Sequence, residues 1–360
     1  MHEMLDRVKT RFSKNNLLTM SSSLLAVLVA FIIGGFMTIF TGSSPLEAYS
    51  ALFKGSLGSA SAILQTVRYM IPLVLLAVSF AVGRQGGLFN IGQESQMLAA
   101  AVVALWVNTN LSFLPAPILV IVTVLAGMLA GAIMAVIPAC LKFYFGVNEA
   151  MIFLMLNYIM ELIVQYLLLY TVLAMPGSAA APKSISFQTT IPMPVVYGIV
   201  ILVLVLYAVM MDRSTLGFRI RILGKNPLFA QASGISSTRI LLISAIIGGA
   251  LAGLAALCEV MGVYGVIYSN FASGTLTYQG ITAGLLGHYT TIGMLLGSLL
   301  LGALQAGSVS LSVATKVPSE IVSLIQGLVM FFATVSLITS IAKSKERKER
   351  RGHRKGGRKE

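Results

Sequence analysis

Apolar stretches, most of them about 20 residues long, recur along the whole chain, and that is the length an α-helix needs to cross a bilayer. They are read at 20–41, 63–83, 93–108, 117–141, 150–172, 194–211, 239–260, 276–288, 290–308 and 319–341. Hydrocarbon offers no water to backbone N–H and C=O groups, so a spanning segment must satisfy them internally, and continuous runs of this length do so as helices. The expected fold is therefore an all-α polytopic membrane protein with about ten transmembrane helices. Composition agrees: 57% of the 360 residues are hydrophobic and 10% are charged, where a soluble domain carries about 25% charged residues. An ordinary soluble enzyme, a disordered chain and a nucleic-acid-binding domain are excluded. The two cysteines, Cys140 and Cys258, sit inside apolar runs and are read as reduced and buried.

Orientation follows from the distribution of Lys and Arg. Arg7, Lys9, Arg11 and Lys14 precede the first stretch, which has no small-residue cleavage site and reads as an uncleaved anchor. The 212–238 loop carries Arg213, Arg219, Arg221 and Lys225, with Arg239 at its edge, and ten of the 25 Lys and Arg lie between Lys343 and Lys359. These three regions are placed on the cytoplasmic side. The connections placed outside hold only Lys54, Lys183 and Lys316. Two cytoplasmic termini require an even number of crossings, so the long 276–308 stretch is split at His288–Thr290. A polybasic tail beside an apolar body points to the lipid bilayer surface, not to nucleic acid.

Two segments interrupt this pattern with glycines and polar side chains, Gly86–Gln96 and Gly274–Gly287. They fall within crossings two to five and seven to ten, sets that start on opposite sides of the membrane. That is the pattern of inverted repeats with broken helices near the midplane, where transporters place their solute. Catalytic chemistry finds no support. Gly217 and Gly224-Lys225 are separated by six residues where a phosphate-binding loop has four, and Asn226 stands where Ser or Thr belongs. The three histidines are scattered without metal-ligand spacing. Glu94, Glu149, Glu161 and Glu259 form no regular relay, which disfavours a proton-driven carrier.

The polar residues of GLFNIGQESQ, at 87–96, have two readings. Asn90, Gln93 and Glu94 either meet a polar uncharged solute or satisfy the backbone freed by Gly86, Gly87 and Gly92. Phe89 either stacks on a flat solute or packs. Asn157 and Glu161 share one helical face, and Asn157 is about 13 Å in from Asn148 at 1.5 Å per residue. Asn157 and Tyr158 either line the pathway or hydrogen-bond between helices. Gly127-xxx-Gly131, Gly249-xxx-Gly253 and Gly293-xxx-Gly297 are close-packing signals. In the loop GFRIRILGKNPLFAQASGI, at 217–235, Pro227 opens a short helix-capable run at Leu228–Ser233. That run either docks on a partner or anchors at the membrane surface.

At these residues the chain resembles the permease subunits of ATP-binding-cassette importers of the branched-chain amino acid, ribose and simple-sugar superfamily. It is most similar to nucleoside (guanosine-type) and simple-sugar permeases. GLFNIGQESQ (87–96), FGVNEAMIFLMLNYI (145–159), LGKNPLFAQASGI (223–235) and YQGITAGLLG (278–287) carry the resemblance, in that order. Two positions depart from the family pattern, Ser95 in place of the usual Gly and Gln279 in place of Asp or a similar residue. The resemblance implies a cytoplasmic N-terminal segment (1–19), a permease domain (20–341) with its coupling loop at 212–238, and a basic cytoplasmic tail (342–360). It implies a second permease subunit, an ATP-binding subunit that uses ATP and Mg, an extracytoplasmic substrate-binding protein, and a bacterial cell membrane location. This chain would bind no cofactor or metal itself. Coupling would fall to Arg219, Arg221, Gly224, Asn226, Pro227, Leu228 and Phe229, and the pathway to Phe89, Asn90, Gln93, Glu94, Asn157 and Tyr158. The solute would be a nucleoside or a simple sugar. The competing reading is a stand-alone secondary transporter, which has no need of a docking loop.

Overall fold

The computed structural model describes residues 14–40, 43–178, 180–269, 271–272, 274–315, 318, 320–332 and 334. The basic tail at 342–360 and most of the 1–19 segment lie outside the described residues. The elements are α1 (Lys14–Phe40), α2 (Pro45–Leu57), α3 (Ala60–Gln85), α4 (Gln93–Asn110), α5 (Ala116–Phe145), α6 (Glu149–Tyr170) and α7 (Met193–Arg213). They continue with α8 (Thr215–Lys225), α9 (Pro227–Ala232), α10 (Ser237–Glu259), α11 (Gly274–Leu286), α12 (Thr291–Ala314) and α13 (Glu320–Phe332). A π-helical turn at Val260–Tyr264 extends α10.

Each of the ten anticipated stretches overlaps a helix among the described residues, residues 335–341 of the last lying outside them, and the described fold is all-α. The stricter count is smaller. Among the described residues, six helices are long and apolar enough to span a membrane, or up to seven if the bent pair α1–α2 is one span. Two of the segments that fall short are short or polar: α4 carries Gln93, Glu94, Gln96 and Asn108, and α11 has 13 residues. The break expected at His288–Thr290 is present as a turn with His288 at φ 47° and Tyr289 at φ 60°. Helix α2 and the helical form of α8 were not anticipated.

The described chain forms two compact units. One comprises Met1–Thr66 with Ala303–Glu360, the other Val67–Gly302. In the first, α1 and α13 approach so closely that a Cβ on Gly34 would lie 2.4 Å from Ile325. There α2 packs on the end of α12, where Gly307 faces the Leu52 carbonyl, and Tyr49 donates to the Phe31 carbonyl.

In the second unit α4, α5 and α10 form the centre, with α6 against α4. Its core runs through Met97, Leu98, Leu105, Ala252, Leu257 and Cys258, all buried. Cys140 is only half-buried, contrary to the expectation from its apolar surroundings. The glycine motifs of α5 and α10 are each other's partners. A Cβ on Gly131 would meet the Gly249 carbonyl at 2.4 Å, one on Gly249 would meet the Gly131 carbonyl at 2.4 Å, and Gly253 faces the Gly127 carbonyl at 2.9 Å. Backbone contact of this kind lets helices associate where no hydrophobic driving force separates protein from lipid.

One end of this unit is closed by an irregular segment. Ser184 N–H donates to the Ile267 carbonyl (2.9 Å), Phe187 N–H to the Gly265 carbonyl (2.9 Å) and Ile191 N–H to the Met261 carbonyl (3.0 Å). Asn108 at the end of α4 holds it in place: its Oδ1 accepts from Gln188 N–H at 2.7 Å and its amide donates to Thr189 at 2.8 Å.

Gly249→Leu should drive α5 and α10 apart, with an overpacking penalty of about 1–3 kcal/mol or more. Thermal unfolding in detergent should show a lower midpoint and a lower folded yield; an unchanged midpoint would contradict the close backbone approach.

Candidate functional site

Helix α3 ends at Gln85, and the chain does not become helical again until Gln93. Gly87 takes φ +86°, a left-handed conformation that only glycine adopts freely. The freed backbone groups are taken up one by one. Leu88 N–H donates to the Gly83 carbonyl at 2.9 Å. Lys142 Nζ donates to the Gly87 carbonyl at 2.7 Å and to Glu149 Oε1 at 2.6 Å. Gly92 N–H donates to Asn90 Oδ1 at 3.2 Å.

The anticipated polar residues meet here. Asn90 and Gln96 form a reciprocal amide pair: Asn90 Nδ2 donates to Gln96 Oε1 at 3.1 Å, and Gln96 Nε2 donates to Asn90 Oδ1 at 2.8 Å. Gln93 Nε2 donates to the Leu76 carbonyl at 2.7 Å, pinning the start of α4 to α3. Asn157 reaches across from α6, accepting from Ser95 N–H at 3.0 Å and donating to the Ile91 carbonyl at 3.1 Å. Ser95 Oγ returns to the Gly92 carbonyl at 2.8 Å. Asn90, Gln93 and Asn157 are buried; Asn90 and Asn157 spend amide groups on the interruption itself, and Gln93 fixes α4 to α3 beside it.

Phe89, Glu94 and Tyr158 behave differently. Phe89 is 40% exposed and Tyr158 is 68% exposed. Glu94, half-buried at the second residue of α4, lies near enough to Glu161 to feel its charge, and Tyr278 of α11 lies likewise near Glu94 and Tyr158. Glu94, Glu161, Tyr158 and Tyr278 thus form an open face beside a braced, inward-facing amide network. Sequence reasoning missed Tyr278, Lys142 and the clamping role of Glu149. Tyr278 opens the polar 278–287 motif, which was the available signal. Phe89 also stacks edge-on against Phe80, with centroids 5.6 Å apart.

The coupling candidates lie at the end of the unit where α3 stops. Ser214 caps α8 by accepting from Gly217 N–H at 3.0 Å. Asn226 caps α9 by accepting from Phe229 N–H at 3.1 Å, and Pro227 occupies the first turn. Gly224 packs so tightly that a Cβ there would lie 2.1 Å from the Gln85 carbonyl. Arg219 and Arg221 lie on α8. Leu228 is 78% exposed and Phe229 is 56% exposed, an apolar tip on a basic loop.

Residues 62–334 match the family described as "Branched-chain amino acid transport system / permease component". The chain belongs to this family. It is a multi-pass membrane protein and a transport component, not an enzyme. It is 33% identical over 302 residues to the nucleoside ABC transporter permease protein NupB of Lactococcus lactis subsp. cremoris, covering 79% of this chain and 82% of that protein. It is 29% identical to the guanosine ABC transporter permease protein NupP of Bacillus subtilis, over 81% of this chain and 86% of the relative. It is 31% identical to the glucose ABC transporter permease protein TsgB13 of Haloferax volcanii, over 82% of each. No solved structure matches the chain significantly.

Asn157→Leu strips partners from Ser95 N–H and the Ile91 carbonyl. An unsatisfied buried group costs about 1–3 kcal/mol, so the folded yield and thermal midpoint should fall. Tyr158→Ala should leave both unchanged while lowering uptake per folded molecule. Equal yields for the two variants would contradict the bracing role of Asn157.

Proposed function

We propose that this chain is a permease subunit of an ATP-driven importer and forms half of the translocation pathway for a nucleoside. Its likeness to the Lactococcus nucleoside permease over four-fifths of both chains carries the reading. The open face supports it in chemical terms. Phe89, Tyr158 and Tyr278 offer rings for a flat base, and Glu94 and Glu161 accept from exocyclic amino and hydroxyl groups. The buried amides of Asn90, Gln93 and Asn157 hold the shape of that face.

The partners of the proposal are a second, related permease subunit across that face, an ATP-binding subunit in the cytoplasm and an extracytoplasmic substrate-binding protein. The setting is a bacterial cell membrane with both termini cytoplasmic. An exposed Leu228-Phe229 tip flanked by Arg219, Arg221 and Lys225 suits a groove on the ATP-binding subunit. A stand-alone carrier has no use for such a tip. In the cycle, ATP binding closes the paired ATP-binding subunits, the coupling loop passes that motion to the helices, and hydrolysis resets the pathway. ATP and Mg are bound by the partner.

In cells carrying the transporter, uptake of labelled guanosine should be competed by other nucleosides and not by glucose or ribose. Competition by glucose alone would assign the chain to the sugar branch that its Haloferax relative represents.

Replacing Leu228 and Phe229 together by Ala should leave membrane insertion intact and abolish most solute-stimulated ATP hydrolysis in the reconstituted complex. Normal stimulation would remove the coupling role from this loop.

A further inference from the structure

Tyr207 lies in α7 within two turns of Arg213 and is buried, with no part in the face described above. Its hydroxyl accepts from Gln85 Nε2 at 2.8 Å and donates to the Tyr289 carbonyl at 2.7 Å. A phenol has one proton to give, so both directions are fixed. Gln85 is the last residue of α3, immediately before the Gly86–Gln96 interruption. Tyr289 sits in the left-handed turn that follows α11, the continuous helix into which the second glycine-bearing segment, Gly274–Gly287, folds. One hydroxyl therefore ties the edge of the first interruption to the end of α11. The rings repeat the link: Tyr289 lies 6.2 Å from Phe80, and Phe80 lies 5.6 Å from Phe89.

The same tyrosine is joined to the docking helices. Helix α7 passes through Ser214 into α8, and the corner is tight. Ser214 Oγ donates to the Met210 carbonyl at 2.6 Å and accepts from Gly217 N–H at 3.0 Å. A Cβ on Gly217 would lie 2.1 Å from the Met210 carbonyl. At its other end α8 touches the Gln85 carbonyl through Gly224. Motion of α8 reaches Gln85 by direct contact and reaches Tyr207 through a rigid corner.

We propose that Tyr207 is a positioning residue whose hydroxyl makes the Gly86–Gln96 interruption and α11 move with the docking helices. The proposal rests on the importer reading. Tyr207→Phe removes one oxygen and keeps the ring and its packing. In the reconstituted complex of permeases, ATP-binding subunit and substrate-binding protein, Tyr207→Phe should assemble in wild-type amount. Stimulation of ATP hydrolysis by nucleoside-loaded binding protein should fall about fivefold to tenfold, the change that loss of a buried hydrogen bond produces in an equilibrium. Gln85→Leu should do the same, and the double variant should be no worse than either alone, because both break one link. Tyr197→Phe, on the same helix and outside the network, should behave as wild type. Wild-type stimulation in both Tyr207→Phe and Gln85→Leu would overturn the proposal alone. Fully additive losses, or losses that match reduced assembly, would do the same. A wild-type complex without nucleoside-stimulated hydrolysis would overturn the importer reading and this link with it.

Discussion

The peptide groups set free between α3 and α4 are the constraint on which the rest of the second unit depends. Seven residues of non-helical backbone lie between two long helices, in a chain whose surroundings are mostly apolar, and such backbone persists only where protein or a water-filled cavity receives it. The receivers come from four helices: Lys142 from α5, Asn157 from α6, the Ser95 hydroxyl from α4 and the Gly83 carbonyl from α3. This explains why α4 is buried almost all round although it carries Gln93, Ser95, Gln96 and Asn108. A helix with that polar content is a poor lipid-facing span and a good central post.

Most of the helices were legible because length and apolarity are properties of one segment at a time. The boundaries of α5, α6, α7 and α10 follow within a few residues from those properties. The glycine motifs were legible as close-packing signals. That Gly131 and Gly249 face one another was not, since spacing within a helix says nothing about which helix it meets. The same limit hid Lys142. A lysine four residues before a helix-ending glycine looks like an ordinary interfacial cation. Only the fold brings it between the Gly87 carbonyl and Glu149. Asn108 was hidden in the same way, because the strand-like 184–191 segment it holds has no periodicity of its own.

The site residues divided along a line that sequence alone left open. Asn90, Gln93 and Asn157 had two readings, and the structure gives all three a place in bracing the interruption. Glu94 and Tyr158, written into the same motifs, remain on an open face with Tyr278 and Glu161, and Phe89 is exposed beside Phe80. The division has a physical basis. Side-chain amides carry both donors and acceptors and suit backbone groups of either kind, whereas a carboxylate accepts only and an aromatic ring needs area. One ten-residue motif thus supplies the scaffold and the surface it displays.

That bracing also limits what can move. Opening the Gly86–Gln96 segment locally would strand the Ile91 carbonyl, the Ser95 N–H and the Asn90–Gln96 pair together, each unsatisfied group costing about 1–3 kcal/mol. A motion that keeps the segment intact and carries it as a body together with Asn157 of α6 loses none of these bonds. The places where a body can be gripped are its ends, and the end nearer the basic loop is where Gly224 abuts Gln85 and where Tyr207 spans Gln85 and Tyr289. In a transport component whose energy arrives from outside the chain, stiffness at the interruption and contact at its edge are complementary requirements. A soft interruption would absorb the displacement of α8 before it reached the open face.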